Sequence, residues 1–162
     1  MILNPPAPAW LYDSLRSWAD WLEAELSPVV ATVVWDESLE RCGWSLRDLI
    51  CYLRDVEGEV HQPRLQIMLV EADAFLAGVW SDNWVQERAY RLQDGNHALE
   101  ALITARRQTA ALLADMEAAM WQRRALHAYF GYTTLQELVY LMVQHDRQYQ
   151  VDIETVIKKQ GG

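Results

Sequence analysis

Helix breakers are scarce along this chain and badly placed to interrupt it. Three of the five prolines, Pro5, Pro6 and Pro8, fall in the first eight residues, and only seven glycines are spread over all 162. Glycine and proline are the strongest local punctuators of secondary structure, so the chain beyond the proline-rich lead must be built from long uninterrupted segments. That favours helices over the short, turn-bounded strands of a sandwich or barrel. At ~100 to 200 residues per domain, residues 1–162 are expected to form a single domain.

Apolar periodicity divides the chain into four helical segments. In the first, residues 10 to about 34, Leu11, Leu15, Trp18, Leu22 and Leu26 recur at three- and four-residue steps, the spacing of one helix face. Pro28 and the β-branched run after it leave a strand or extended connection as the alternative for its far end; helix re-entering after Pro28 is the preferred reading. The second opens on Ser45-Leu46-Arg47-Asp48, a capping-box pattern, carries Leu46, Leu49, Leu53, Val56 and Val60 inward, and is expected to kink at Pro63 before ending near residue 72. Residues 73–95, with Trp80 and Trp84, lack periodicity and read as a long connection, of a length that usually crosses over or carries function. The third segment runs from Asp94-Gly95-Asn96 to about residue 121, with Arg106 and Thr109 on its inner stripe. The fourth comes after the turn Tyr129-Phe130-Gly131-Tyr132 and a second capping box at Thr134 to Glu137, with Leu135, Leu138, Met142, His145, Tyr149 and Val156 inward. The predicted fold is therefore all-α: a four-helix bundle with a long crossover between helices two and three, which leaves those two parallel.

Charge and cysteine content narrow the function classes. Twenty-three acidic residues against fourteen Lys and Arg give a net charge of −9, the wrong sign for gripping a nucleic acid or an anionic membrane surface. The longest apolar run, residues 29–35, falls far short of the ~20 residues that span a bilayer. No basic segment with an apolar stretch behind it opens the chain, and Cys42 and Cys51 fit neither a redox CxxC pair nor a zinc knuckle. A cytoplasmic location is the expectation.

Two segments carry a family resemblance. Trp44-Ser45-Leu46-Arg47-Asp48, then Leu53, Asp55 and Glu57, resembles the helix-two signature of the DinB-like superfamily, W-S-x-R-E-x-x-x-H-L-x-D-x-E. His145-Asp146-Arg147-Gln148-Tyr149 is similar to its helix-four signature, H-D-x-x-H, and the resemblance runs from about residue 10 to 157. It implies a four-helix bundle with helices two and three parallel, often assembled as a homodimer. Many members hold a divalent metal on three histidines, one on helix two and two at i and i+4 on helix four, and these include thiol-dependent transferases and metal-dependent hydrolases. Here the helix-two position, eight residues after Trp44, is Tyr52; the second helix-four position is Tyr149; His145 alone remains. A neutral phenol is a poor ligand for zinc or nickel, although tyrosinate binds ferric iron. The resemblance thus implies a degenerate metal site with no cofactor expected, and Tyr52, His145 and Tyr149 are the pocket candidates.

Other polar residues have plainer readings. His145 suits a core histidine bonded to a neighbouring tyrosine, or a member of a cluster that binds a small ligand or moves a proton. Asp55, Glu57 and Asp146 are expected as surface charges or caps, since unpaired acids are rarely buried, and Arg106 is expected to pair with an acid of another helix. His61, His97 and His127 are expected at the surface, and Cys51 in the core. Two function classes emerge: a non-catalytic or small-ligand-binding protein, or a metal-dependent thiol transferase or hydrolase with an altered site. A homodimer is the expected assembly.

Overall fold

Proline opens the first helix rather than ending it. In the computed structural model, which describes residues 4–39 and 43–160 and so leaves Cys42 outside, α1 (Pro8–Trp21) has Pro8 in its first turn. There the missing N–H is one the helix leaves unbonded anyway. α1 runs on through a π turn at Leu22–Leu26 and one 3₁₀ turn at Ser27–Val29. It does not re-enter after Pro28: residues 30–33 form turns and a bend. Of residues 29–34 only Val33 is buried, so no apolar stripe stabilises a further helical turn.

The second rod comprises α2 (Leu46–Val56), a π turn at Glu57–His61 and α3 (Gln62–Val70). Ser45 and Asp48 cap it reciprocally: the Ser45 hydroxyl accepts from the Asp48 N–H at 3.1 Å, and the Asp48 carboxylate from the Ser45 N–H at 3.0 Å. The expected break at Pro63 arrives one turn early, as the π turn. Pro63 has no N–H for the preceding turn and its ring crowds the carbonyl there, and an extra residue in the spiral relieves both. This changes which faces coincide. Tyr52 and His61 are nine residues apart, which in a regular α-helix leaves them about 180° out of phase; with the π turn, both face one cavity.

The crossover contains β1 (Ala74–Leu76), a short helix α4 (Trp84–Glu87) and a 3₁₀ turn at Tyr90–Leu92. α5 (Gly95–Leu113) is capped by Asp94, whose carboxylate accepts from the N–H groups of Asn96 and His97. It stops at Leu113, short of residue 121, because Ala114 is extended and Asp115 left-handed, with φ +53°. α6 (Ala118–Trp121), β2 (Arg124–His127) and β3 (Gly131–Thr134) intervene before α7 (Leu135–Gln160).

A small sheet is thus added to the expected four-helix bundle. Its order is β1-β2-β3, with β1 parallel and β3 antiparallel to β2. Strands of three or four residues are too short for alternation to stand out in a sequence. Phe75, Leu126 and Tyr132 are direct cross-strand neighbours and form an exposed apolar row on its outer face.

Two apolar clusters fill the bundle, and every rod passes from one to the other. Trp18, Leu53, Leu102 and Ile153 belong to the first; Leu15, Leu65, Leu113 and Val143, with Ala74 and Ala125 of the sheet, belong to the second. One loop contact is especially tight, since a Cβ on Gly95 would lie 2.5 Å from the Trp35 ring. Gly95→Ala should therefore cost about 1–3 kcal/mol through overpacking, read as a lower urea midpoint. Gly58→Ala, where nothing lies within 4 Å, should be neutral or stabilising.

Candidate functional site

The three pocket candidates, Tyr52, His145 and Tyr149, do meet, as a packed aromatic cluster. His145 and Tyr149, one turn apart on α7, have ring centroids 4.7 Å apart and nearly perpendicular planes. Tyr52 of α2 lies 6.4 Å from each. Trp44, at 5.0 Å, and Trp84, at 6.4 Å, pack on Tyr52 in turn. Metal ligands must aim free donor atoms at a common point about 2 Å away, whereas the Tyr52 hydroxyl is engaged with Ser81 at 3.2 Å. Among the described residues, no three His, Cys, Asp or Glu side chains are grouped to hold a metal ion. Burial pushes the Tyr52 phenol above its ordinary pKa, outweighing its 3.2 Å hydrogen bond with Ser81, and Asp82 adds to the rise. The tyrosinate that ferric iron requires is thereby disfavoured. These residues do not fit the family metal.

Beside the cluster lies a cavity of about 390 Å³ between the second rod, α7, the crossover and the β2–β3 turn. Val56, Val60, Leu138, Leu141 and Met142 supply apolar wall, and Tyr52, Tyr129 and Phe130 supply rings. His145 reaches the cavity, whereas Tyr149 packs on His145 without forming wall. His61 and His127, expected at the surface, are wall residues too, while His97 is exposed as expected. The π turn carries His61 inward, with its ring 6.2 Å from that of His145. His127 is turned in by the alternation of β2 and stacks on Phe130 at 4.5 Å. Of the crossover tryptophans, Trp84 is buried against Tyr52, while Trp80 is exposed and forms no part of the wall.

Behind His61 is an ion cluster that corrects the expectation of surface acids. Glu57, Arg106 and Asp146 are 0%, 1% and 2% exposed, and the burial is tolerated because one guanidinium serves both carboxylates. Arg106 donates to the two Asp146 oxygens at 2.8 Å each and lies 2.9 Å from Glu57. The pairing expected of Arg106 is therefore present, with two acids from two helices. Glu57 also takes the Thr109 hydroxyl and lies 3.1 Å from His61 Nδ1. In the neutral His61 ring, a proton held on Nδ1 by the carboxylate leaves Nε2 as the acceptor. The spacing Glu57-x-x-x-His61 is present in the sequence; the π turn that aims it is not.

Asp55 is likewise no simple surface charge. Arg54 at 2.8 Å, Arg88 at 2.6 Å and the Tyr90 hydroxyl at 2.8 Å all donate to it, tying the crossover to the second rod. Cys51 is buried as expected, and burial pushes its thiol up to about 11, so it is an inert core residue.

The two acids beside Arg106 titrate in opposite directions. Burial pushes Glu57 up, but Arg106, His61 and Thr109 outweigh it and hold the carboxyl at about 2. Asp146 is raised to about 7 because burial and the Glu57 charge outweigh its share of Arg106. Its folded state therefore binds a proton more tightly than the unfolded chain, near 3.8, and the stability this contributes is lost as pH rises through 7. The urea midpoint should fall between about pH 4 and 7, and Asp146→Asn should flatten that slope. Arg106→Met, which strands two buried carboxylates, should cost about 3–5 kcal/mol, more than Asp146→Asn.

Comparison with known proteins bears on the same geometry. The sequence pattern of the DinB superfamily matches residues 11–148, a span that holds Tyr52 and His145 and ends one residue before Tyr149. No curated protein matches the chain. Among solved structures, YfiT from Bacillus subtilis superposes with a TM-score of 0.81 at 18% identity, over 99% of this chain and 93% of that one. YfiT is described as a probable metal-dependent hydrolase with an unusual four-helix bundle topology, and at this identity the likeness carries the fold. With most of its length matching the family pattern, this chain belongs to the DinB superfamily.

Proposed function

We propose that this protein binds a small, largely apolar molecule in the cavity beside Tyr52 and His145, and that it has no metal centre at the family position. The observation that carries this reading is the cavity of about 390 Å³ set against a cluster in which phenols stand where two metal-binding histidines would be. The volume falls within the ~300–1,000 Å³ of small-molecule sites, and a mainly apolar wall with a few converging polar groups is their usual make-up. The hydrolase description of YfiT does not transfer on fold alone. A second reading, an enzyme of the transferase or hydrolase class, is favoured by one observation: Glu57 orients His61 as a proton acceptor on the cavity wall. A second copy of the chain is the proposed partner, and the exposed row of Phe75, Leu126 and Tyr132 offers apolar surface for it.

Metal loading tests the first reading. Protein exposed to excess zinc or nickel and then desalted should retain substoichiometric metal, whereas Tyr52→His with Tyr149→His should gain one equivalent that is lost again with His145→Ala. Stoichiometric metal in the unaltered protein, lost on His145→Ala, would overturn it. The fluorescent apolar probe anilinonaphthalene sulfonate should bind with increased emission, and Leu141→Trp, which fills the cavity, should abolish that. Light scattering should give the mass of two chains, and of one for Leu126→Lys.

A further inference from the structure

The walls of the cavity are charged against the trend of the chain. The protein has 23 acidic residues and a net charge of −9, yet among the described residues no Asp, Glu or Lys lines the cavity, and Arg64 is its one permanently charged wall residue. Glu57, the acid behind His61, is not wall and is paired with Arg106. By contrast, Arg54 and Arg88 pair with Asp55, and Arg106 with Asp146. Arg64 has no carboxylate partner among the described residues. Its Nη2 donates to the Ala77 carbonyl at 3.0 Å, and its Nε is buried without an acceptor.

A second donor in the same wall is in the same condition. His127 is 2% exposed. Its Nδ1 accepts the Tyr129 N–H at 3.1 Å, which places the proton of the neutral ring on Nε2, and Nε2 is buried without an acceptor. Burial and the Arg64 charge both lower its pKa, which keeps the ring neutral and a donor. Buried N–H groups almost always have acceptors. Two that lack them, in side chains of one cavity wall and lying just beneath the surface of the chamber, point to an acceptor brought by a ligand that draws these side chains toward it.

We infer that the cavity takes an apolar monocarboxylate, its acid group between Arg64 and His127 and its hydrocarbon against Val56, Val60, Leu138 and Met142. This deepens the small-ligand reading and rests on it. A carboxylate supplies acceptor oxygens for both donors. One permanent positive charge matches a singly charged head and leaves a phosphate dianion half neutralised. The long-range repulsion of an acidic protein is screened within about 8 Å at physiological salt, so the wall decides at contact distance.

Calorimetric titration of the full chain with octanoate and with 1-octanol tests the assignment, because the two share a tail and differ in the head. Octanoate should bind about tenfold or more tighter. Arg64→Met should abolish that preference while 1-octanol binding persists, and Arg64→Lys, which keeps the charge and loses the Nε donor, should retain part of it. His127→Phe should weaken octanoate more than 1-octanol. An unchanged urea midpoint shows that each variant is folded. Equal affinities in the unaltered protein, or a preference that survives Arg64→Met, would overturn the carboxylate assignment and leave the cavity a ligand site. Binding of neither compound, together with no binding of anilinonaphthalene sulfonate, would overturn the small-ligand reading as well.

Discussion

Arg106 is the point on which the four rods converge. Its guanidinium joins Glu57 of the second rod to Asp146 of the fourth, and it lies 4.9 Å from the Trp18 ring of the first. Above and below this level the rods belong to different apolar clusters, so the waist of the bundle is polar and dry. A buried ion cluster is a poor source of net stability, because desolvating three charges cancels most of their attraction. Its strength is discrimination. Any rotation or slip of a rod that separates the three groups leaves a buried charge unpaired, so the cluster penalises wrong registers more than it rewards the right one.

That constraint reaches the cavity through two residues. Asp146 must face inward to meet Arg106, and His145, one position earlier, is turned about 100° around α7, which brings it to the cavity wall. Glu57 must face Arg106, and its carboxylate also holds His61. The waist therefore positions both imidazoles. The cavity's opposite side is independent of it: Arg64 lies beyond the π turn and His127 sits on the sheet. One half of the wall is set by ion pairing and the other by backbone irregularity and strand alternation.

The sequence exposed the parts of this arrangement that depend on local rules. Capping boxes at Ser45 and Thr134 mark two helix starts because they are satisfied within four residues, and the apolar stripes mark the faces because burial tracks the helical period. The family signatures single out Tyr52, His145 and Tyr149, and the rings of these three meet in the fold. The burial of Glu57 and Asp146 is not legible, because it depends on a partner about 40 or 50 residues away and acids as a class favour the surface. The inward place of His61 is not legible either, because one π turn re-phases everything after it, and Pro63 signals a disruption without saying on which side it falls. His127 is as hard to place as the four-residue strand that carries it.

On the proposed reading, phenol in place of imidazole at two positions changes more than ligand identity. Imidazoles around a catalytic metal leave an open, wet coordination position, whereas buried tyrosines are satisfied by one hydrogen bond and otherwise pack as apolar rings. Tyr52 does both, bonding Ser81 of the crossover and taking Trp44 and Trp84 against its ring. The crossover is thereby drawn onto the helix-two position, and Ser81 and Val79 become cavity wall. On the proposed reading, the same exchange that removes the metal chemistry builds part of the apolar chamber, and polar recognition moves to the far side, where Arg64 and His127 have donors without acceptors.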